Sequence, residues 1–351
     1  MSKSPSAGIL SCVAYRDGVK TPDSLPRARP LWALATLVVA AALTASACSS
    51  SSSGKPSSGA SVTSGTSSGS ASSSSPGTPS TSASKTAKPT KPVHISLKFG
   101  DGSQVGVGMP IIAFLSRPIR DGKAFAAATT VTVNGAAVRG GWYFERKAQD
   151  PGHPIEADYR MQGYWPGHAR VQLTLATKGK SAGAGLSFDN SLTLGFTTGP
   201  ANLLTVDDST HTVTVTSDGK LWGKFPTSLG ASNTPTKRGV KVIMEKGASI
   251  CMSGPGYHEC GVQFTQRLTY DGEYLHAAPW NTSNIRNGVD SSNGCTNLYT
   301  SDAKKLYDFL EIGDVVDYPN ANGPRMTLGD GYGDWNLNWG QWQSGGLYPT
   351  R

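Results

Sequence analysis

From residue 93 onward, apolar and polar positions alternate in short runs: "VTVNG", "GGWYFER", "VQLTLAT" and "LTLGFTTG". A period of two, broken every few residues by glycine or asparagine, predicts half-buried β-strands joined by tight turns. Roughly seven such strands across 93–200 predict an Ig-like β-sandwich. No cysteine falls in that stretch, so the sandwich must be held by its core alone. Trp142, Tyr143, Tyr164 and Trp165 are expected to fill that core and to pack between domains.

A second β-rich unit is expected over 201–320. "HTVTVTSDGKLWGKFPTSLG" alternates, turns at Asp218-Gly219 and alternates again, which is a hairpin pattern. "VKVIMEK" and "EYLHAAP" are further strands. The period lengthens to a helical one in "TSDAKKLYDFLEIGD", where Ala303, Leu306, Tyr307 and Leu310 share a face. Thr300 or Ser301 is expected to cap this principal helix and Gly313 to end it. The tail, 321–351, contains "GDGYGDWNLNWGQW" and is expected to cap this second unit. The fold class is therefore mainly β.

The chain before residue 93 has a different character. In "PRARPLWALATLVVAAALTASAC", Arg27 and Arg29 precede an apolar run over 31–43, followed by small residues up to Cys48. The run is short for a bilayer span and suits the core of a signal peptide, so 1–48 is expected to be an export segment. "ASAC" resembles a bacterial lipobox, in which the cysteine, here Cys48, is lipidated and becomes the mature N-terminus. Ala45 stands where that motif usually has Leu; ordinary cleavage and an uncleaved anchor are the alternatives. Residues 49–92 contain 19 serines among 44 residues and no acidic or aromatic side chain. Such a segment cannot bury enough apolar surface to fold. It is expected to be a disordered tether with a root-mean-square span of roughly 35–40 Å. Together these segments place the chain in the cell envelope, on the outer face of the plasma membrane or in the wall.

Charge follows the same division. The net +8 comes almost wholly from residues 1–92, with nine Lys/Arg against two Asp/Glu; residues 93–351 carry 23 against 22. The part expected to fold is nearly neutral, which excludes the basic surface of a nucleic-acid binder.

The five cysteines divide by context. Cys12 precedes the apolar run and has no assigned role, and Cys48 is the lipidation candidate. Cys251 and Cys260 flank the turn-rich "MSGPGYHE", and in an exported protein that spacing favours a disulfide. A metal site built from the two thiols and His258 lacks a fourth ligand. Cys295, in "DSSNGCTNLY", is the cysteine left over from these assignments. It is either an inert buried thiol or a nucleophile. Gly294 permits positive φ or close approach of a ligand, and Ser292, Asn293, Thr296 and Asn297 surround the sulfur with hydrogen-bonding groups. A thiol nucleophile needs a base, and His276, at the end of a strand and 19 residues earlier, is the candidate.

"YLHAAPWN" followed by "SSNGCTNLYTSDAKKLYDFLEIGDVV" resembles the signature of bacterial L,D-transpeptidases of the YkuD type. Further similarity lies in "FPTSLGASNTPTKRGVKVIMEK", "PGYHECGVQF", "VGVGMPI", "GYWPG" and "YGDWNLNWGQW". The arrangement, an Ig-like module before a β-rich catalytic domain, resembles that of mycobacterial and other actinobacterial members. The resemblance implies that Cys295 is the nucleophile and His276 the general base, its imidazole oriented by the Ala277 carbonyl. It places Tyr257 in a substrate-covering flap near the oxyanion, with Gly294 and Cys295 supplying N–H groups to that oxyanion. Ser292, Thr296, Asn297 and Trp280 would complete the pocket. One departure stands out: Asn293 occupies the position of the family's histidine, and an amide donates hydrogen bonds but cannot exchange a proton.

The implied reaction is transfer of a peptidoglycan stem peptide through a Cys295 thioester, with release of D-Ala and formation of a 3→3 cross-link to a second stem's diaminopimelate amine. No cofactor or metal is implied; carbapenem β-lactams are expected inhibitors. Two other readings remain: an L,D-carboxypeptidase that uses water as acceptor, and a non-catalytic wall-binding lipoprotein whose site has decayed at Asn293. A papain-like peptidase is disfavoured because His276 precedes Cys295.

Overall fold

The structure is a computed structural model, and it describes residues 90–146, 152–254 and 256–351. The export segment, Cys48 and nearly all of the tether lie outside the described residues. Among the described residues no helix is long and apolar enough to cross a membrane.

The sandwich is present, in more pieces than the alternation suggests: twelve described strands lie between Lys91 and Thr198. The chain changes sheet in mid-run. Lys91–Val93 pairs with Leu186–Phe188, whereas Ile95–Leu97, two residues on, pairs with Ile111–Leu115. One main sheet runs Ile95–Leu97, Ile111–Leu115, Ile155–Met161, Gly140–Arg146; the other runs Gln104–Val105, Leu192–Thr198, Arg170–Leu175, Thr129–Val133, Ala136–Ala137. Trp142, Phe144, Phe125, Leu173, Phe196 and Trp165 meet between them in one buried cluster. Apolar burial of this size replaces the missing disulfide.

The tail does not cap the second unit alone; it bridges both. Strand Ile155–Met161 is buried on both faces. Its apolar side joins the sandwich core, while Arg160 on the other side lies beneath Trp335, Trp339 and Trp342 at 4.7, 5.6 and 4.4 Å. Trp342 is fully buried, stacks on Tyr143 at 5.1 Å and donates its indole N–H to the Gly141 carbonyl. Tyr164 meets Trp335 edge-on at 4.4 Å. From the same tail, Asn336 accepts the Val240 N–H and donates to the Val240 carbonyl. The tryptophans thus offer π faces to a buried guanidinium, an arrangement stronger out of water than in it.

The second unit is built on a nine-stranded sheet in the order Gly239–Val242, Val315–Tyr318, Asn202–Asp207, Thr212–Ser217, Lys220–Ser228, Thr296–Leu298, Tyr274–Ala277, Tyr257–Arg267, Glu245–Gly254. The expected hairpin is there: Asp218 and Gly219 both have positive φ, as a two-residue turn between twisted strands requires. The principal helix is Thr300–Phe309, packed on the His276 strand and its neighbour. It starts and stops differently from expectation. Thr300 is its first helical residue, Tyr299 precedes it without a side-chain cap, and the chain leaves the helix at Leu310 in extended conformation. Ala303, Leu306 and Leu310 are buried as the periodicity predicts.

Candidate active site

Strands Tyr274–Ala277 and Thr296–Leu298 run parallel, with His276 opposite Asn297. Parallel neighbours cannot be joined by a tight turn and need a crossover. Here the crossover carries a one-turn helix over Pro279–Asn281, a short helix Thr282–Asn287 and then the segment ending at Cys295. Alternation along the strand places residues 295 and 297 on the face of His276 and residue 296 on the other. Cys295, His276 and Asn297 accordingly line one cavity of about 420 Å³ with Met252, Tyr257, Glu259, Val262, Trp280, Asn281, Asn284, Ser291, Ser292 and Asn293. Thr296 does not join them. Its hydroxyl is fully buried on the far face, bonded to the Tyr318 hydroxyl at 2.7 Å.

His276 is 4 % exposed, and burial pushes its imidazole down to about 4, so the ring is neutral at pH 7. Its Nδ1 lies 2.8 Å from the Ala277 carbonyl oxygen, which can only accept. Nδ1 therefore carries the proton and Nε2 the lone pair. Trp280, itself more than half exposed, stacks over the ring at 6.0 Å. Cys295 is 7 % exposed, and its thiol points to the Gly272 carbonyl at 3.6 Å.

Gly294 has φ of +105°, a conformation open to glycine and costly for other residues. The turn it makes is held from within: the Ser292 hydroxyl donates to the Cys295 carbonyl at 2.6 Å and accepts the Gly294 N–H at 3.2 Å. That corrects one expectation, since the Gly294 N–H is spent on Ser292 and is not presented to an oxyanion. Tyr257 and Asn293 line both the main cavity and a second one of about 250 Å³, which Gly272, Glu273 and Gly294 also border. The flap that carries Tyr257 is the long hairpin Glu245–Gly254 with Tyr257–Arg267. Cys251 and Cys260 are disulfide-bonded across it, which removes both thiols from any metal site with His258.

Several positioning residues were not legible as such. The Ser292 carbonyl accepts from the Ala231 N–H and the Thr234 hydroxyl, and the Gly294 carbonyl from the Thr236 hydroxyl. Ser291 and Ser292 donate their N–H groups to the Leu229 carbonyl. Beneath the turn a fully buried Lys241 pairs with Glu273, and Glu273 also accepts the Lys237 N–H at 2.7 Å. The only sequence signal for the 229–236 loop was its place among the quoted family-like stretches.

A buried thiol and a neutral imidazole share one cavity, reached by a parallel crossover, and the chain around them is similar to known proteins. Residues 201–317 match the L,D-transpeptidase catalytic domain family YkuD, and 40–181 match a bacterial Ig domain family. Residues 201–317 thus carry an L,D-transpeptidase catalytic domain of the YkuD family. It is 29 % identical over 264 residues to L,D-transpeptidase 2 of Mycobacterium tuberculosis, an alignment covering 72 % of this chain and 62 % of that one. To L,D-transpeptidase 5 of the same species it is 28 % identical over 263 residues, 73 % of this chain and 57 % of the relative. The chain thus spans less than two thirds of the length of either of these relatives. A solved structure of L,D-transpeptidase 3 from Mycobacterium tuberculosis, in complex with a faropenem-derived adduct, superposes with a TM-score of 0.51 at 26 % identity, over 64 % of this chain and 97 % of that one.

Proposed function

We propose that this L,D-transpeptidase family member is an active peptidoglycan acyltransferase with Cys295 as nucleophile and His276 as general base. The observation that carries the reading is the imidazole: neutral by burial, fixed by Ala277 through Nδ1, and set on the cavity face that also holds Cys295. The Cys295 proton passes to His276 Nε2 as sulfur attacks the L,D carbonyl of a stem tetrapeptide. The C–N bond breaks, the imidazolium protonates the departing D-Ala amine, and a thioester remains on Cys295. The diaminopimelate amine of a second stem then displaces the thiolate and forms a 3→3 cross-link. Developing negative charge on the carbonyl oxygen is met by the Cys295 N–H with the Tyr257 hydroxyl and the Asn293 amide. Asn293 serves here as a donor, a role that does not require the imidazole found in relatives.

The two cavities meeting at Tyr257 and Asn293 support separate entry of donor and acceptor. Anchoring at Cys48 with a tether ending before strand Lys91–Val93 would hold the enzyme at the outer membrane face within reach of the wall. The test is mass spectrometry of the purified chain after incubation with meropenem. A single adduct on wild type and none on Cys295→Ala is expected; no adduct on wild type, or an equal one on the variant, refutes the reading. Incubation with disaccharide-tetrapeptide should give a dimer; tripeptide monomer alone would make the chain a carboxypeptidase, and no product a binding protein.

A further inference from the structure

Away from the catalytic cavity, three metal-ligating side chains converge between two loops. Asp208 and His211 lie in the turn between strands Asn202–Asp207 and Thr212–Ser217, and Asp290 lies in the crossover five residues before the nucleophile. One donor atom from each lies within 4.8 Å of the others. None of the three lines the catalytic cavity.

An ion pair alone does not account for this group. His211 Nε2 and Asp290 Oδ1 are 3.3 Å apart. Two ligands each about 2.1 Å from a tetrahedral ion are separated by about that distance. Asp208 is 7 % exposed, and its Oδ1 is buried without a hydrogen-bond partner. A buried carboxylate oxygen left unsatisfied costs free energy that a cation would offset. Two carboxylates sharing one site call for more positive charge than a single imidazole supplies.

We propose that Asp208, His211 and Asp290 form a divalent-cation site with mixed imidazole and carboxylate ligands, the donor set of Zn²⁺, and that the ion braces the segment leading to Cys295. One nitrogen and two carboxylate oxygens suit Zn²⁺, with water completing the coordination. The bracing follows from the bonds around Asp290. Its Oδ1 accepts the Leu229 N–H at 2.7 Å, and the Leu229 carbonyl accepts from Ser291 and Ser292. An ion there would tie the 208–211 turn to the backbone that positions the nucleophile. The role is structural and adds no step to the thioester reaction.

Because Cys295 and His276 can themselves capture Zn²⁺, the test uses the full chain carrying Cys295→Ser and isothermal titration calorimetry with Zn²⁺. One ion per chain is expected, with a raised thermal midpoint. Adding Asp208→Asn or His211→Gln should weaken binding by at least about tenfold, whereas adding His258→Gln should leave it unchanged. Should Asp208→Asn fail to fold by far-UV circular dichroism, His211→Gln, in a partly exposed turn, decides. Absence of stoichiometric uptake at millimolar Zn²⁺, affinity unchanged in His211→Gln, or binding lost in His258→Gln would each overturn the proposal.

Discussion

His276 makes stability depend on pH in a way that can be isolated. Its imidazole is held at about 4 in the folded chain, against an ordinary value of about 6.5. Between those values the unfolded chain binds the proton and the folded one does not, so stability falls as pH drops from about 6.5 to about 4 and is flat outside that window. At pH 4.5 the accumulated cost is about 2.5 kcal/mol relative to pH 7.5. Burial pushes Asp314 and Asp334 up to about 7, and each stabilises the fold as pH falls, so the wild-type profile alone mixes opposite signs. The clean quantity is the difference between wild type and His276→Gln, from urea melts at the two pH values. Removing the imidazole removes its titration, while the carboxylate contributions cancel in the subtraction. The stability advantage of wild type over His276→Gln should shrink by about 2.5 kcal/mol from pH 7.5 to pH 4.5. Parallel profiles would mean that the ring titrates normally and that burial does not hold its imidazole down.

Lys241→Met leaves Glu273 buried without its charge partner and should cost about 3–5 kcal/mol in urea melts; adding Glu273→Gln should recover much of the loss, and no recovery would show that the pair is not the cause. Trp342→Ala removes a fully buried indole, its stacking on Tyr143 and its bond to Gly141, for an expected loss of about 3–5 kcal/mol; a loss below about 1 kcal/mol would mean that the tail is dispensable to the sandwich. Gly294→Ala meets only ordinary contact, with Glu273 Cγ 3.6 Å from the added methyl, so its cost is conformational, about 1–3 kcal/mol. Meropenem acylation of that variant should slow with the turn, and an unchanged rate would separate the glycine from the chemistry.

Much of the fold was legible because it is local. Asp218-Gly219 specifies its turn by φ alone, and the helix face of Ala303, Leu306 and Leu310 follows from spacing. The principal helix was misjudged only at its ends, where Tyr299 and Leu310 do what no preferred cap residue predicts. Helix Thr282–Asn287 escaped notice because it has one buried apolar residue, Ile285, and so no periodicity to detect. The clamp of residues 229–236 on the turn before Cys295 escaped for a different reason: hydroxyls of Thr234 and Thr236 meet carbonyls of Ser292 and Gly294 through tertiary pairing, which leaves no trace in spacing.

Thr296 shows where a sharper reading of local rules would have served. The resemblance puts it in the pocket beside Asn297, yet two neighbours on a strand cannot face the same side. Once His276 and Cys295 are required on one face, Asn297 must join them and Thr296 must face the core, where the Tyr318 hydroxyl satisfies it. The requirement is met only because the two strands are parallel and in register. A hairpin return would have needed a tight turn, leaving no room for the crossover that supplies Trp280, Asn281, Asn284 and Ser291–Asn293 to the cavity wall. The chain between His276 and Cys295 is therefore not a spacer. It is the wall of the site, and its length is set by the geometry of a parallel crossover.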